Sequence, residues 1–462
     1  MLTFLEKLIV AIWNRFADWR RGARQREHGG LDLGFRVVDG QVTRRHLRLS
    51  AARRTTHMAV LGKTGTGKSS LFKHMAVQDI VVGRGLLYFD HHGDTVPFLL
   101  GVMNALERER HEHLSDKLIL IDPTDRELSV GFNPLERPAG SESPEFVRIV
   151  EFAQILRRYW GLDSFGARTD ELLRNSLYVL SANGLTLVEL APLLTHTGFR
   201  DACLKQVANA DVRQYFEFRY NQASEPMRAT MREPVLNKVS AFTADPHFRH
   251  IVGQPSTFSL KDAMDSGHVV IVNLAKGRLG EQALTLGSLI LAVAKNALFS
   301  REKRSLFTVY CDEIQNLVAT GASVETMFSE SRKFGVGVVG STQYLDQLPA
   351  DVRGALLSIG THIFFQLSST DAVAMSQALG GSRSLTERLK NLPQRHCLVK
   401  SGSDQEAEIV VPTVRDPKVD YTDLLNRARY SRGRVRAHIE RDIAKRQAAL
   451  QHNPSEAIHD WK

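Results

Sequence analysis

A glycine-rich stretch between an apolar run and a segment of helical periodicity constrains this chain more than any other feature. Residues 57–61 read HMAVL, residues 62–68 read GKTGTGK, and SSLFKHMAVQDIVV follows. The stretch matches the spacing GxxxxGK[ST], in which glycines allow successive backbone N–H groups to curl around a phosphate. A helix that starts there adds the positive end of its dipole. The pattern therefore predicts a strand, a phosphate-binding loop and a helix.

The same loop predicts which residues contact a nucleotide. Lys68 is expected to reach the β- and γ-phosphates, and the Ser69 hydroxyl is expected to ligate Mg²⁺. ATP and Mg²⁺ are the predicted cofactors. The residues predicted to contact the nucleotide are Gly62, Thr64, Gly65, Thr66, Gly67, Lys68, Ser69 and Ser70.

Two carboxylates end the apolar run SLFTVYCDE at residues 305–313. A phosphate-binding loop needs a carboxylate at the end of a neighbouring strand to complete the magnesium shell, and Asp312 is predicted to supply it. Glu313, one residue later, suits a general base that polarises the attacking water. The pair favours hydrolysis coupled to work over phosphate transfer to a metabolite.

Two further residues lie near the next apolar run, FGVGVVGSTQ at residues 334–343. Gln343 ends that run, and a neutral amide at a strand tip can sense whether a γ-phosphate is present. Arg332 precedes the run. Its guanidinium either stabilises the transition-state charge on a neighbouring subunit's nucleotide or is an ordinary surface charge, and spacing alone does not decide between them.

The alternation of strands and helices predicts an α/β fold with a mostly parallel sheet. After a leading segment at residues 1–30, the sequence predicts four further segments. They are the first part of the core at residues 31–140, an all-α insertion at 141–260, the second part of the core at 261–420 and a basic helical tail at 421–462. The chain has 60 Lys and Arg against 51 Asp and Glu, an excess typical of proteins with anionic partners. Three separated cysteines without a CxxC pair argue against a zinc ribbon or disulfide framework and favour a reducing, cytoplasmic compartment.

The segment at residues 1–30 predicts an amphipathic helix. Its apolar run LIVAIW is too short to span a bilayer, and apolar residues at helical spacing are flanked by arginines. Two interpretations stay open: packing against protein, or peripheral contact of residues 1–26 with the inner face of the cytoplasmic membrane.

Three other polar groups each allow two interpretations. The sequence DHHGD at residues 90–94 is either a metal cluster or a turn beside the nucleotide. The arginine-rich tail from residue 421 binds DNA or a partner, or is a solvated helix. Four basic residues either bind DNA phosphates without sequence preference or are ordinary solvated charges: Lys276, Arg278, Arg383 and Arg388.

Several of these motifs together resemble the HerA/FtsK branch of P-loop motor ATPases, and within it the DNA-transfer coupling proteins of type IV secretion (TraD/TraG type). The matching segments are HMAVLGKTGTGKSS, LYFDHHGD, LILIDPTDRE, GFNPLE, VVIVNLAKG, YCDEIQN and SRKFGVGVVGSTQYLDQLP. The resemblance implies a RecA-like core with an all-α insertion. It implies that Arg332 is a trans arginine finger and Gln343 a sensor. It also implies a ring, a homo-hexamer, with DNA in its pore.

The resemblance leaves three functions open. The first is a DNA translocase that drives DNA transfer in conjugation or type IV secretion, with a relaxase or a secretion-channel protein as partner. The second is a HerA-type motor for DNA processing or phage defence with a nuclease partner. The third is a secretion or pilus-assembly ATPase that does not bind DNA. Coupling proteins usually have two amino-terminal transmembrane helices and the motif DPHGD, whereas this sequence has a short amphipathic segment and DHHGD.

Overall fold

The computed structural model describes residues 30–137, 145–318 and 321–452. The helix predicted over residues 1–30, with its proposed membrane contact, lies outside the described residues apart from Gly30. Thirteen strands lie in the described part: β1 (Leu31–Val38), β2 (Gln41–Leu49), β3 (Met58–Leu61), β4 (Leu86–Asp90), β5 (Leu118–Ile121), β6 (Leu128–Val130), β7 (Val269–Asn273), β8 (Phe307–Cys311), β9 (Val336–Thr342), β10 (Thr361–Phe364), β11 (His396–Ser401), β12 (Ala407–Val410) and β13 (Gly433–Val435).

The described chain also contains helices, short 3₁₀ turns and a π-helical turn at Tyr215–Tyr220, joined by loops. The helices are α1 (Ala51–Arg54), α2 (Lys68–Val82), α3 (Thr95–Arg110), α4 (Glu145–Tyr159), α5 (Ala167–Ala182), α6 (Leu190–Thr195), α7 (Thr197–Lys205), α8 (Ala210–Gln214), α9 (Glu225–Ala244), α10 (Pro246–Val252), α11 (Leu260–Asp265), α12 (Lys276–Leu279), α13 (Gln282–Phe299), α14 (Gly321–Glu330), α15 (Ala350–Leu357), α16 (Ser369–Ala378), α17 (Arg383–Asn391), α18 (Thr422–Arg432) and α19 (Arg436–His452).

Eleven strands form one sheet in the order β2-β1-β12-β11-β10-β3-β9-β8-β4-β7-β5. The seven from β10 to β5 run parallel, and the four from β2 to β11 extend the sheet in antiparallel pairing. We call the edge at the carboxyl ends of the parallel strands the carboxyl edge, and the opposite one the amino edge. Parallel strands present their loops and ligands at the carboxyl edge.

The parallel strands are buried on both faces, as their continuous apolar sequences require. On β4, Leu87 and Phe89 face the core shared with α13 and the helical segment, whereas Leu86 and Tyr88 face α2 and α3. α13 is long and apolar enough to cross a bilayer, but 78% of this segment is buried within the fold, which is typical of a core helix.

Only helices and turns lie between β6 and β7 among the described residues, from α4 to α11. The predicted fold class, a mostly parallel α/β core with an all-α insertion, is therefore confirmed. The segment boundaries given above stay a prediction.

The carboxy-terminal segment packs against both halves of the protein. β13 pairs antiparallel with β6, and Arg429 forms a bidentate ion pair with Asp125 of the core (Nη2 to Oδ1, 2.8 Å). Further along, Ile439 and Ile443 are buried beside the helical segment, and the guanidinium of Arg446 donates to Glu189 at 3.0 Å. Carboxylates far away in sequence pair with several of its arginines, so this segment is docked on the protein and is not a freely solvated helix. Its binding to DNA or a partner stays a prediction.

Candidate functional site

The phosphate-binding loop connects β3 to α2 at the carboxyl edge, as predicted. Its glycines are required by space and by backbone conformation. A Cβ at Gly62 would lie 2.5 Å from the Cβ of Phe365, and Gly65 and Gly67 have φ angles of +76° and +119°. Glycine alone adopts such angles at little cost. The loop can therefore turn its backbone N–H groups inward at the start of α2.

Lys68 is held across this loop by main-chain carbonyls. Its Nζ donates to the carbonyl oxygen of Gly62 and, at 3.0 Å, to that of Lys63. Burial lowers the pKa of Lys68, while the nearby carboxylates of Asp312 and Glu313 act to raise it. The result is a buried ammonium group pointing where an anion bound in the loop would lie.

Ser69 and Asp312 come together from the loop and from the end of β8. The Ser69 hydroxyl donates to Oδ2 of Asp312 at 3.3 Å, and the Ser341 hydroxyl donates to Oδ1. A hydroxyl and a carboxylate are the oxygen ligands that Mg²⁺ prefers, with water and phosphate completing its shell. These residues fit a magnesium ion, and their role as its ligands stays a prediction. No group of three or more His, Cys, Asp or Glu side chains suited to a metal exists among the described residues.

Glu313 has a left-handed backbone conformation, with φ of +50°. This strained geometry is unusual for a residue other than glycine and is often found at functional sites. The Ser341 hydroxyl accepts from the Glu313 N–H at 3.1 Å, and the amide of Asn316 donates to Oε2 of Glu313 at 2.9 Å. Sequence reasoning missed both partners, because neither Ser341 nor Asn316 belongs to a motif that predicts this turn.

Gln343 links the two halves of the site. β9 lies between β3 and β8, so its tip lies between the loop and the acidic pair. The Gln343 amide nitrogen donates to Oε1 of Glu313 at 2.9 Å, and its oxygen accepts from the Thr64 hydroxyl at 3.0 Å. A continuous hydrogen-bonded chain therefore joins the loop to the candidate base. The predicted position of Gln343 agrees with this geometry, and its sensing role stays a prediction.

A second segment supports the loop from outside, and the sequence did not predict it. The N–H of Arg395 donates to the carbonyl of Thr66 at 2.8 Å, and the amide of Gln394 donates to the carbonyl of Gly65 at 3.1 Å. Arg395 itself has φ of +67°. These contacts fix the outer wall of the loop just before β11.

Arg332 lies at the amino edge and is exposed, in the 3₁₀ turn Ser331–Phe334 that precedes β9. The seven residues of β9 place it roughly 20 Å from the site built by its own chain. Among the described residues no carboxylate forms an ion pair with it, whereas its neighbour Lys333 pairs with Glu330 at 2.7 Å. The structure therefore does not bring Arg332 together with Lys68 and Glu313 within one subunit.

The DHHGD sequence forms a turn at the end of β4. Both carboxylate oxygens of Asp90 accept backbone N–H groups, including those of Thr95 and Val96 at 2.8 and 2.9 Å, which caps α3. His91 is buried, and burial lowers its pKa to about 4. His92 is exposed, with Nε2 3.8 Å from Oε1 of Glu313. This geometry supports the turn beside the nucleotide over the metal cluster. The Asp90 carboxylate already accepts backbone hydrogen bonds, and one imidazole is buried whereas the other is exposed.

The four candidate DNA-contacting residues lie in different settings. Lys276 and Arg278 belong to α12, beside the DHHGD turn, where the N–H of Lys276 donates to the carbonyl of His91 at 2.8 Å. Arg383 is exposed at the start of α17, and Arg388 pairs with Glu408 at 3.4 Å. Lys276 and Arg278 thus lie on a helix that contacts the DHHGD turn at the carboxyl edge.

Comparison with known proteins agrees with this geometry. Residues 39–293 match the family described as "Helicase HerA, central domain". No curated protein sequence matches the chain. The predicted resemblance to HerA/FtsK-type motors is confirmed by the family match.

Two solved structures illustrate the shared fold. The plasmid coupling protein TrwB in complex with the non-hydrolysable ATP analogue ADPNP has a TM-score of 0.58 and 19% identity, over 84% of this chain and 96% of that one. VirB4 of Thermoanaerobacter pseudethanolicus has a TM-score of 0.56 and 16% identity, over 85% of this chain and 99% of that one. At such identities the likeness shows the fold alone. Because the family match covers more than half of its residues, the chain belongs to the HerA helicase family of P-loop motor ATPases.

Proposed function

We propose that the chain is an ATP-driven DNA translocase that works as a ring, a homo-hexamer, and couples ATP hydrolysis to DNA transfer of the conjugation or type IV secretion kind. One observation supports a ring above all. Each subunit builds a site at its carboxyl edge that has a loop, a magnesium pair and a base. Its candidate arginine finger lies exposed at the amino edge, out of reach of that site, and no carboxylate of the described residues pairs with it. Only a second subunit can bring the two together.

Within one site the described residues divide the chemistry of ATP hydrolysis. The loop N–H groups and Lys68 bind the β- and γ-phosphates. Ser69 and Asp312 hold Mg²⁺, which neutralises phosphate charge when bound. Glu313 takes a proton from the attacking water, and Gln343 orients the Glu313 carboxylate through the bond between Nε2 and Oε1.

The neighbouring subunit completes the reaction. Its Arg332 places a positive charge against the equatorial oxygens of the γ-phosphoryl group as charge develops there. Loss of the γ-phosphate changes what Gln343 contacts at one end of β9, and Arg332 lies at the other end. Hydrolysis in one subunit is thereby linked to the arginine that it offers to the next.

Two observations support DNA as the substrate of movement. The family description names a helicase, and the similar structures include TrwB, which is described as a bacterial conjugative and plasmid coupling protein. Lys276 and Arg278 lie at the carboxyl edge, which also carries the nucleotide site. Sequence-independent contacts of these residues with DNA phosphates would therefore change when ATP is hydrolysed. A relaxase or a secretion-channel protein is the proposed partner. Cytoplasmic location, with residues 1–26 as a peripheral membrane contact, is part of the same proposal.

A second candidate is a HerA-type motor for DNA processing or phage defence, because the matching family is described by the central domain of HerA. A relaxase gene beside this one would support DNA transfer, and a nuclease gene would support processing. Both candidates require movement on DNA, whereas a secretion-assembly ATPase does not.

The test is steady-state ATP hydrolysis by the oligomeric protein without DNA, with single-stranded DNA and with duplex DNA. We expect DNA to stimulate the rate about tenfold, a coupling of about 1.4 kcal/mol, and Glu313→Gln to abolish the stimulated rate. A rate that is the same with every DNA, in a protein confirmed to be oligomeric, would contradict DNA translocation and favour the secretion-assembly function.

A further inference from the structure

His57 occupies a special position at the amino edge, directly before β3. It is 2% exposed and has φ of +67°. The chain around it is tightly fixed, because the N–H of Gly360 donates to the carbonyl of Thr56 at 2.8 Å. A Cβ at Gly337 of β9 would lie 2.7 Å from the carbonyl oxygen of Arg54. The imidazole therefore enters the core in one orientation, at the start of the strand that leads to the phosphate-binding loop.

Both ring nitrogens of His57 bind the main chain of the segment that bears Arg332. The N–H of Val338 donates to Nδ1 at 3.1 Å, so Nδ1 is the acceptor and the ring proton is on Nε2. Nε2 lies 2.8 Å from the carbonyl oxygen of Phe328 and donates to it. The two rings of His57 and Phe328 also pack, with centroids 5.4 Å apart.

These two bonds enclose the arginine-bearing turn. Phe328 precedes Arg332 by one helical turn, and Val338 follows it on β9, so the imidazole bridges the base of the loop that projects Arg332. Ser331 lies inside this bridge, with its hydroxyl 3.5 Å from Nε2 of His57 and 3.4 Å from the carbonyl oxygen of Val336, to which it donates.

Electrostatics fit the same arrangement. The pKa of His57 is lowered to about 4, chiefly by burial; the hydrogen bond to Phe328 acts to raise it, and the positive charge of Arg332 acts to lower it. The ring is thus neutral at physiological pH, with one nitrogen free to accept and one to donate. A neutral ring also adds no repulsion to the guanidinium of Arg332.

We propose that His57 is a positioning residue for Arg332: it fixes the turn of the arginine against the start of β3 and couples one subunit's phosphate-binding loop to the neighbour's site. The inference rests on the proposed function, in which Arg332 acts in trans. β3 has only four residues, so the imidazole and the loop lie at opposite ends of one short, fully buried strand. A shift of the loop can therefore reach the arginine through a single rigid element.

A double-mutant cycle tests this inference, because residues that act through one another show non-additive effects. The variants are His57→Asn, Arg332→Ala and the combination, with His57→Gln as the matched control. Asparagine tolerates a left-handed backbone but is too short to reach both partners. Glutamine retains one donor and one acceptor. The readouts are single-turnover ATP hydrolysis in the full-length oligomer with DNA present, and affinity for a fluorescent ATP analogue.

We expect His57→Asn to slow hydrolysis about tenfold when Arg332 is present, with nucleotide affinity within about twofold of wild type. In the Arg332→Ala background it should slow hydrolysis no further. His57→Gln should lose at most about threefold, also only with Arg332 present, and this variant serves if His57→Asn does not fold.

Two results would overturn the inference, and they differ from each other. Equal losses from the His57 variants with and without Arg332 would show a general structural role, while the proposed function stood. A wild-type rate in Arg332→Ala alone would remove the arginine finger from the proposed function, and with it any role of His57 in positioning that finger.

Discussion

The two ends of β9 differ in whether their polar side chains have partners within the same subunit. At the carboxyl end, Gln343 is bonded within its own chain to Thr64 and Glu313. At the amino end, Arg332 is exposed, and no carboxylate of the described residues pairs with it. One end of the strand contributes to the site of its own subunit, and the other presents a charge that no described carboxylate of that subunit neutralises.

The exposure of Arg332 indicates a function only when Arg332 is compared with the other arginines of the chain. The basic carboxy-terminal segment is also rich in arginine, yet Arg429 and Arg446 pair with carboxylates of the same chain. Because charged groups without partners at a folded surface are common, Arg332 alone would prove little. What favours a function for Arg332 is its position, because it precedes the same strand, β9, that ends at Gln343 in the nucleotide site.

The largest effect should come from the carboxyl end. Glu313→Gln removes the proposed base, and its single amide oxygen can accept from only one of the two amides that bind the carboxylate. Because the loop and Lys68 are unchanged, we expect hydrolysis to fall about 10³-fold while ATP stays bound. Lys68→Ala is the matched variant, and it should lose both turnover and tight nucleotide binding. Equilibrium binding of a labelled nucleotide measures the difference. Tight retention of ATP by Lys68→Ala would contradict the assignment of Lys68 to the phosphates.

Removing a buried ion pair should weaken the amino edge as a whole. Asp79 is fully buried, bonded by the guanidinium of Arg54 at 2.6 and 2.8 Å and by the hydroxyl of Tyr310 at 2.7 Å. Asp79→Asn leaves the Arg54 charge without its counter-ion, at a cost of about 3–5 kcal/mol in the free energy of unfolding. Urea unfolding measures it.

The control for that change is Asp404→Asn. Asp404 pairs with Arg53, the residue next to Arg54, but both side chains are exposed. Solvent screens such a pair, so we expect no measurable change in the unfolding midpoint. Equal destabilisation by the two substitutions would show that the buried pair contributes no more to the free energy of unfolding than the exposed one.

Two imidazoles, one at each edge of the sheet, have pKa values lowered far enough by burial to make stability depend on pH. The pKa values of His57 and His91 are about 4 in the folded protein, below the ordinary value of 6.5. Between these values the unfolded chain binds protons that the folded protein does not, so stability falls as pH drops from 6.5 to 4. Each residue should contribute about 3 kcal/mol to this loss.

The variant His57→Gln isolates one of these two contributions. Urea unfolding at pH 7 and pH 5 should show a smaller loss of stability for the variant than for the wild type, because one titrating group is gone. The same loss in both proteins would mean that His57 is not held neutral at the amino edge.

The smallest effect should come from Gln343. Gln343→Ala breaks the chain from Thr64 to Glu313 but leaves the base, the loop and the magnesium pair, so we expect kcat to fall about tenfold with little change in nucleotide affinity. Gln347→Ala, four residues later and exposed, is the control and should match wild type. A loss of nucleotide affinity instead of kcat would assign Gln343 to ground-state binding.

The sequence predicted those parts of the site that follow from local chemistry. Three features directly follow an apolar run that the local sequence identifies as a strand. They are the phosphate-binding loop after β3, the acidic pair after β8 and the Gln343 amide after β9. Ser341 and Asn316 were not predicted, because their contacts depend on the left-handed turn at Glu313, which no local motif indicates. His57 was not predicted either, since its partners lie more than 270 residues later.

Long-range pairing explains what was missing from the predicted fold. The antiparallel extension of the sheet joins Phe35 to Val410, and the carboxy-terminal segment joins Arg429 to Asp125. Neither pairing leaves a periodic signal within a window of ten or twenty residues. The βαβ rhythm indicated the parallel strands, whereas the order of strands and the docking of the tail are properties of the whole core.

The most direct test of the central claim is to mix two inactive variants. Arg332→Ala subunits keep a complete carboxyl edge, and Glu313→Gln subunits keep the arginine, so a site between them is whole. We predict that each variant alone is nearly inactive and that mixing equal amounts restores hydrolysis, up to about one quarter of the wild-type rate for random assembly into a ring. A mixture no more active than its components, or an Arg332→Ala protein that hydrolyses ATP like wild type, would contradict the shared site.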